Sequence, residues 1–290
     1  MSDNAAGILV VHKHAGVTSN DIVIRIRRLF GTRQVGHTGT LDPMATGVLP
    51  VLIGRAVKAS DFITAENKRY TAEMRLGITT DTEDITGTVL TQAEVCVTRA
   101  RLEEVLQQFR GEILQIPPMY SALKVGGQKL CDLARKGREV ERQPREIEIF
   151  QLDCLSFDGV EARLRVRCSK GTYIRTLCKD IGVALETGGC MASLRRVQAG
   201  EYTIEESVPL QQLLEAEDPG QYLRAVDTMF RNYPAVTLTE KQALRCRNGN
   251  SFSVKMADGT YRAYSQTGEF MMLAKVDGGI MSTIKSFWEV

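Results

Sequence analysis

A chain of 290 residues, 43% hydrophobic and 25% charged, has enough apolar side chain for one large core, or for a large domain and a small one. No apolar run approaches the roughly 20 residues that cross a bilayer. Met1-Ser2-Asp3-Asn4-Ala5-Ala6-Gly7 has neither a basic start nor an apolar stretch, so no secretory signal is expected and the reading is cytoplasmic. Seven cysteines, an odd number without a C-x-x-C pair, argue for reduced packing thiols rather than disulfides or zinc. Net charge is only +2, but residues 1–60 and 124–145 each hold seven basic against three acidic side chains. These segments either form one face for phosphates or remain separate solvated patches.

In chain order, residues 8–13 read as a buried strand with His12 and His14 flanking Lys13 as surface or structural histidines. Thr18 and Ser19 are N-cap residues for a helix that places Ile22, Val23, Ile26, Leu29 and Phe30 on one face and closes at Gly31. A glycine-rich loop follows over 36–47, then a strand over 48–53, a short helix over 56–63 and an alternating strand over 69–76. Thr98 caps a helix that runs to Phe109 and stops at Gly111. Residues 115–146 read as a projecting insertion, with Gly126-Gly127 ahead of a basic, weakly amphipathic run over 128–138. Paired strands over 147–155 and 160–168, a helix over 174–185, a strand over 195–203 and a short helix over 209–215 complete the larger part. Beyond a boundary near 231–234, regular turn signals such as Asn248-Gly249 and Asp258-Gly259 predict a small, mainly β domain.

The most informative stretch is Gly36-His37-Thr38-Gly39-Thr40-Leu41-Asp42-Pro43-Met44-Ala45-Thr46-Gly47-Val48-Leu49-Pro50. Pro43 biases Asp42 towards an extended backbone, so its carboxylate is presented from a constrained loop. Gly31 to Thr38 comes close to a phosphate-cradling loop, but His37 stands where the lysine is required, and Gly39 and Pro43 oppose the helix that must follow. By itself Asp42-Pro43 reads as an ordinary turn. The whole stretch resembles the signature of the TruB family, the tRNA pseudouridine-55 synthases. Lys68-Arg69-Tyr70, Ile116-Pro117-Pro118-Met119-Tyr120-Ser121-Ala122-Leu123-Lys124, Lys170-Gly171-Thr172-Tyr173-Ile174-Arg175-Thr176-Leu177 and Ser193-Leu194-Arg195-Arg196 resemble further family segments in the same order.

The resemblance implies that Asp42 is the catalytic carboxylate, that Arg175 pairs with it, and that Tyr70 stacks on the extruded base and can relay the C5 proton. It implies substrate-positioning roles for Tyr173 and for Leu194 against the base. His37 is implied as an RNA contact where the base has swung out; Lys68, just before Tyr70, either meets a phosphate or is a solvated lysine. Residues 119–145 correspond to an RNA-clamping thumb with Lys124, Lys129, Arg135, Lys136 and Arg138 against phosphates.

The implied architecture is a mixed α/β (α+β) catalytic domain of the pseudouridine synthase fold over 1–230, built on a central, largely antiparallel mixed sheet, with a β-rich, PUA-like RNA-binding domain over 231–290. The implied activity is isomerisation of uridine 55 in the tRNA T loop by base flipping. No metal or other cofactor, no membrane and a monomer are expected, with the tRNA T-arm as partner. Two alternatives stand beside it: a non-catalytic tRNA-binding or tRNA-folding protein, and a guide-RNA-dependent synthase subunit.

Overall fold

The first apolar segment forms the strand Gly7–Lys13 in the computed structural model, which describes residues 5–64 and 66–288. Leu9 and Val11 face one core and Ile8 and Val10 another, so the strand is apolar throughout because both of its faces are covered. The leader reading rests partly on residues 1–4, outside the described residues. Helix Ser19–Phe30 starts at a reciprocal Thr18–Asp21 capping box and ends at Gly31, whose φ of 63° suits a residue without Cβ.

A ten-stranded mixed sheet forms the centre. From one edge its main path runs Val208–Pro209, Gly7–Lys13, Thr46–Ile53, Gly189–Ala199, Lys68–Leu76, Glu161–Cys168, Arg145–Phe157 and Gly111–Gln115. Gly7–Lys13 is parallel to Val208–Pro209, and Thr46–Ile53 is parallel to Gly189–Ala199. The other pairings are antiparallel, as the resemblance implies. This order sets Gly189–Ala199 between Thr46–Ile53 and Lys68–Leu76. Segments 36–50, 68–70 and 193–196, far apart in sequence, therefore meet in mid-sheet. Helices Ser19–Phe30, Arg99–Gln108 and Ile174–Ala184 bury their apolar stripes in one core on one face of the sheet.

Several expected boundaries shift. The loop over 36–47 is shorter, because Val35–His37 pairs with Thr46–Ile53. The helix over 56–63 divides into a 3-10 turn, Gly54–Ala59, and a short helix, Ser60–Thr64. The strand expected over 195–203 begins at Gly189 and follows Lys68–Leu76 through two register shifts, before a separate short strand, Tyr202–Thr203. A hairpin of Ile78–Thr80 with Val89–Gln92 carries no apolar alternation and was not expected.

In the insertion, Lys124–Val125 pairs with Gln128–Lys129 across Gly126 and Gly127, both at positive φ as a tight two-residue turn requires. The basic run is helical only over Leu130–Ala134, with Leu130 and Leu133 buried, and the chain turns away at Gly137.

The C-terminal segment forms a five-stranded sheet that starts at Ala235. It packs on the opposite face of the central sheet through Phe270, Leu273 and Phe287, which join Ile8, Val10, Leu52 and Phe230 in one buried cluster. The Phe230 ring lies 5.7 Å from that of Phe287, and the Tyr264 hydroxyl donates to Asp227 at 2.7 Å.

Candidate active site

Asp42 sits at the turn between Val35–His37 and Thr46–Ile53, two strands that share a register. Two buried cations hold this turn through its carbonyls. Lys13, wholly buried, donates its ammonium to Ala45 at 2.6 Å and to Pro43 at 3.2 Å. Arg196, also buried, donates Nε to the Val48 carbonyl at 2.7 Å and a terminal nitrogen to the Gly39 carbonyl at 3.0 Å. Ser19 closes a third link, donating to the Leu41 carbonyl and accepting from its N–H. The loop thus gains side-chain partners for groups that no ladder satisfies. Gly47 has a φ of 105°, and a Cβ there would lie 2.1 Å from the Arg196 carbonyl oxygen. No side chain other than hydrogen allows that approach.

Arg175, the second residue of helix Ile174–Ala184, grips Asp42 in a fork. Its Nε lies 2.9 Å from Oδ2, and a terminal nitrogen donates to Oδ1 at 3.2 Å. The same guanidinium donates to the Thr82 carbonyl at 3.0 Å and to the Tyr120 carbonyl at 2.8 Å, and its Nε stands 4.0 Å from Asp84 Oδ2. Burial pushes the Asp42 carboxyl above the usual range, Arg175 pulls it back, and the Asp84 charge pushes it up again.

Tyr70 is buried on Lys68–Leu76, opposite Arg196 in the register. Burial lifts its phenol to about 12, against a hydrogen bond and the charge of Arg196, so it stays protonated at neutral pH. Leu194 is buried on the neighbouring strand opposite Ala72 and shares a core cluster with Tyr70. Tyr173 is half-buried at the start of the Arg175 helix, and burial raises its phenol above the usual tyrosine range. At the loop's entry, His37 accepts the Gly39 N–H on Nδ1 at 3.3 Å. Burial and the Arg196 charge lower its pKa, so the imidazole is neutral at pH 7.

Asp42, Arg175, Tyr70, Tyr173, Leu194 and His37 therefore gather around one loop. Lys68 does not join them as a phosphate contact. It is buried, and its ammonium is held by the carbonyls of Thr64 and Glu66 at the end of a short helix. It shares the covered face of its strand with Tyr70, two residues on, and burial pulls its pKa down to about 8. Lys124, Lys129, Arg135, Lys136 and Arg138 are all exposed on the insertion, where Arg135 meets Asp132 at 3.5 Å.

Other residues of the site carry no mark that sequence reasoning used. Asp84 and Glu83 lie in a tight loop joining the Ile78–Thr80 hairpin, and Glu83 has a φ of 63° without being glycine. Glu83 is held by Lys179 at 2.6 Å and by the Thr176 hydroxyl at 2.6 Å, from the helix that bears Arg175. The acidic run itself was the available signal. For Lys13 the signal was a lysine at the end of an apolar strand. Among the described residues no group of three or more metal-ligating side chains occurs.

Comparison with solved structures gives the class. The chain matches a chain of a Cbf5-Nop10-Gar1 complex with a TM-score of 0.73 at 23% identity, covering 97% of this chain and 85% of that one. A chain from an H/ACA RNP bound to a substrate RNA containing 2'-deoxyuridine matches with a TM-score of 0.72 at 21% identity, covering 98% and 85%. The fold is that of the pseudouridine synthases. Sequence comparison is more specific. The profile of the TruB family pseudouridylate synthase N-terminal domain matches residues 27–174, and that of the tRNA pseudouridylate synthase B C-terminal domain matches 175–227. Proteins named tRNA pseudouridine synthase B are similar along most of their length. That of Clostridium kluyveri is 42% identical over 91% of this chain and 93% of its own, and that of Dechloromonas aromatica 45% identical over 90% and 88%. The chain belongs to the TruB family of pseudouridylate synthases.

Proposed function

We propose that this protein isomerises uridine 55 in the T loop of tRNA to pseudouridine, with Asp42 as the essential carboxylate. The observation that carries the reading is the fork between Asp42 and a buried Arg175, set beside Tyr70 and Leu194. A carboxylate in that setting can stay ionised in a poorly hydrated place, which the chemistry requires.

The target base must leave its stack, at a cost of a few kcal/mol, on the order seen for base flipping. Binding along the exposed basic thumb offsets that cost, and the C-terminal sheet adds grip as a PUA-like module. Once the base is extruded, the bond from ribose C1′ to uracil N1 breaks and a bond from C1′ to C5 forms. The C5 proton leaves and N1 gains one, so the net change is an isomerisation. Asp42 serves by adding to C1′, by adding to C6, or by removing the C2′ proton. Tyr70, protonated and against Arg196, stacks on the base and is placed to pass the C5 proton. The enzyme acts as a monomer in the cytosol, where its substrate is processed.

Tritium release from C5-labelled uridine in a bare tRNA transcript tests the reading. Wild type releases tritium without any guide RNA, and Asp42→Asn releases none while binding tRNA. Turnover by Asp42→Asn removes the catalytic role, and a wild type that only binds makes the protein a folding factor.

A further inference from the structure

We propose that Gln115 is a positioning residue of the reaction, tying the root of the thumb to the helix that aims Arg175 at Asp42. The inference rests on the activity proposed above and adds a part to it.

Gln115 ends the edge strand Gly111–Gln115, opposite Arg145, the first residue of the returning strand. The whole insertion hangs from this rung. A glutamine at the edge of a sheet next to a projecting arm is expected to face water, yet Gln115 is only 2% exposed. Its amide takes hold of one residue at two points. Oε1 accepts the Tyr173 N–H at 2.8 Å, and Nε2 donates to the Tyr173 carbonyl at 3.1 Å. Tyr173 begins helix Ile174–Ala184 without capping it through its own side chain. Gln115 thus supplies, from 58 residues away, the partner that a helix start lacks. Two residues on stands Arg175.

A second contact runs the same way. Arg175 donates to the carbonyl of Tyr120, on the thumb's outgoing leg, from the terminal nitrogen that also holds Asp42. The thumb root therefore meets the first turn of the helix through Gln115 and the Tyr120 carbonyl. Gln115 fixes the height of that turn against the sheet, and the Tyr120 carbonyl shares the guanidinium. A shift of the helix start by a fraction of an ångström alters the Arg175 fork, because the guanidinium is rigid and planar. Glutamine suits the task since one planar amide offers a donor and an acceptor side by side, matching the N–H and C=O of a single residue.

The test uses the full chain and C5-tritiated tRNA, with single-turnover rates at saturating enzyme and tRNA affinity by filter binding. Gln115→Leu keeps the bulk and removes both polar atoms. We expect its single-turnover rate to fall at least about ten-fold with tRNA affinity within two-fold of wild type. Gln115→Glu keeps the acceptor and sets a charged oxygen against the Tyr173 carbonyl. Its rate relative to wild type rises as pH falls from 8 to 5.5, because the protonated acid regains a donor. A side chain that served only the fold would give a ratio flat with pH. A Gln115→Leu rate within two-fold of wild type, weakened tRNA binding with an unchanged rate, or a flat Gln115→Glu ratio each overturns the assignment. Absence of tritium release from wild type would instead end the activity reading itself.

Discussion

The loop around Asp42 and the thumb are both glycine-containing excursions from the central sheet, yet they are built in opposite ways. The loop is tied down by buried groups: Lys13 and Arg196 reach four of its carbonyls, and Ser19 takes a fifth. The thumb is a two-rung hairpin and a five-residue helix whose basic side chains are exposed. Chemistry on a carboxylate needs fixed geometry in a place where water is scarce, whereas phosphate contacts need charge and reach. On the proposed function, rigidity is concentrated where the reaction would rearrange bonds, and accessible charge where the thumb would grip RNA.

The sharpest way to break the comparison is at its chemical end. Asp42→Asn should lower the single-turnover rate by on the order of 10⁴-fold or more, with tRNA affinity by filter binding nearly unchanged. Next in size is the frame of the loop. Gly47→Ala places a methyl against the Arg196 carbonyl at a positive φ, and should cost on the order of 3 kcal/mol in thermal or urea unfolding. An alanine at Gly126, where nothing lies within 4 Å of the added carbon, should cost much less in the same assay.

At the gripping end, replacing Lys124, Lys129 and Arg138 together by alanine should weaken tRNA binding. The slope of log affinity against log salt should drop by roughly 2–3, at about 0.7–0.9 per lost phosphate contact. The rate at saturating enzyme should stay within a few-fold of wild type. A slope that does not change would remove these three side chains from the interface.

The smallest effect concerns acid–base balance. Burial and Asp84 raise the Asp42 carboxyl above its ordinary value of 3.8. Since the ionised form is the active one, the rate should fall on the acid side at a pH above 3.8. Asp84→Asn removes one of the two causes, so the midpoint of that limb should move down towards 3.8 in a pH profile of the single-turnover rate. A midpoint that rises would mean that Asp84 acts on Arg175 more than on Asp42.

Much of the site was legible because its signals are local. Thr18 to Gly31 announces a helix through its caps and apolar spacing, and Asp42-Pro43 among glycines announces a constrained loop. The apolar-period rules failed where burial is uneven. Gly189–Ala199 opens well before the strand expected over 195–203, and its strand form comes from having neighbours on both sides. The hairpin bearing Glu83 and Asp84 is threonine-rich and acidic and carries no apolar period; its carboxylates are buried against Arg175, Thr176 and Lys179 and the hairpin's own Thr82 and Thr86. Lys68 shows the reverse error. A lysine beside an active-site tyrosine invites a phosphate, but two helix-end carbonyls already hold it.

The sequence by itself determined the family, the constrained loop around Asp42 and the exposed basic arm, because each rests on a contiguous motif or a short-range period; the mixed sheet and the Asp42–Arg175 pair came with the resemblance. Tertiary structure decided the partners across the chain: Arg196 on Gly39 and Val48, Gln115 on Tyr173, Glu83 on Lys179, and Lys68 on Thr64 and Glu66. The physical reason is that a polar side chain takes its role from whichever unsatisfied group lies within about 3 Å, and strand order, not sequence distance, brings those groups within reach.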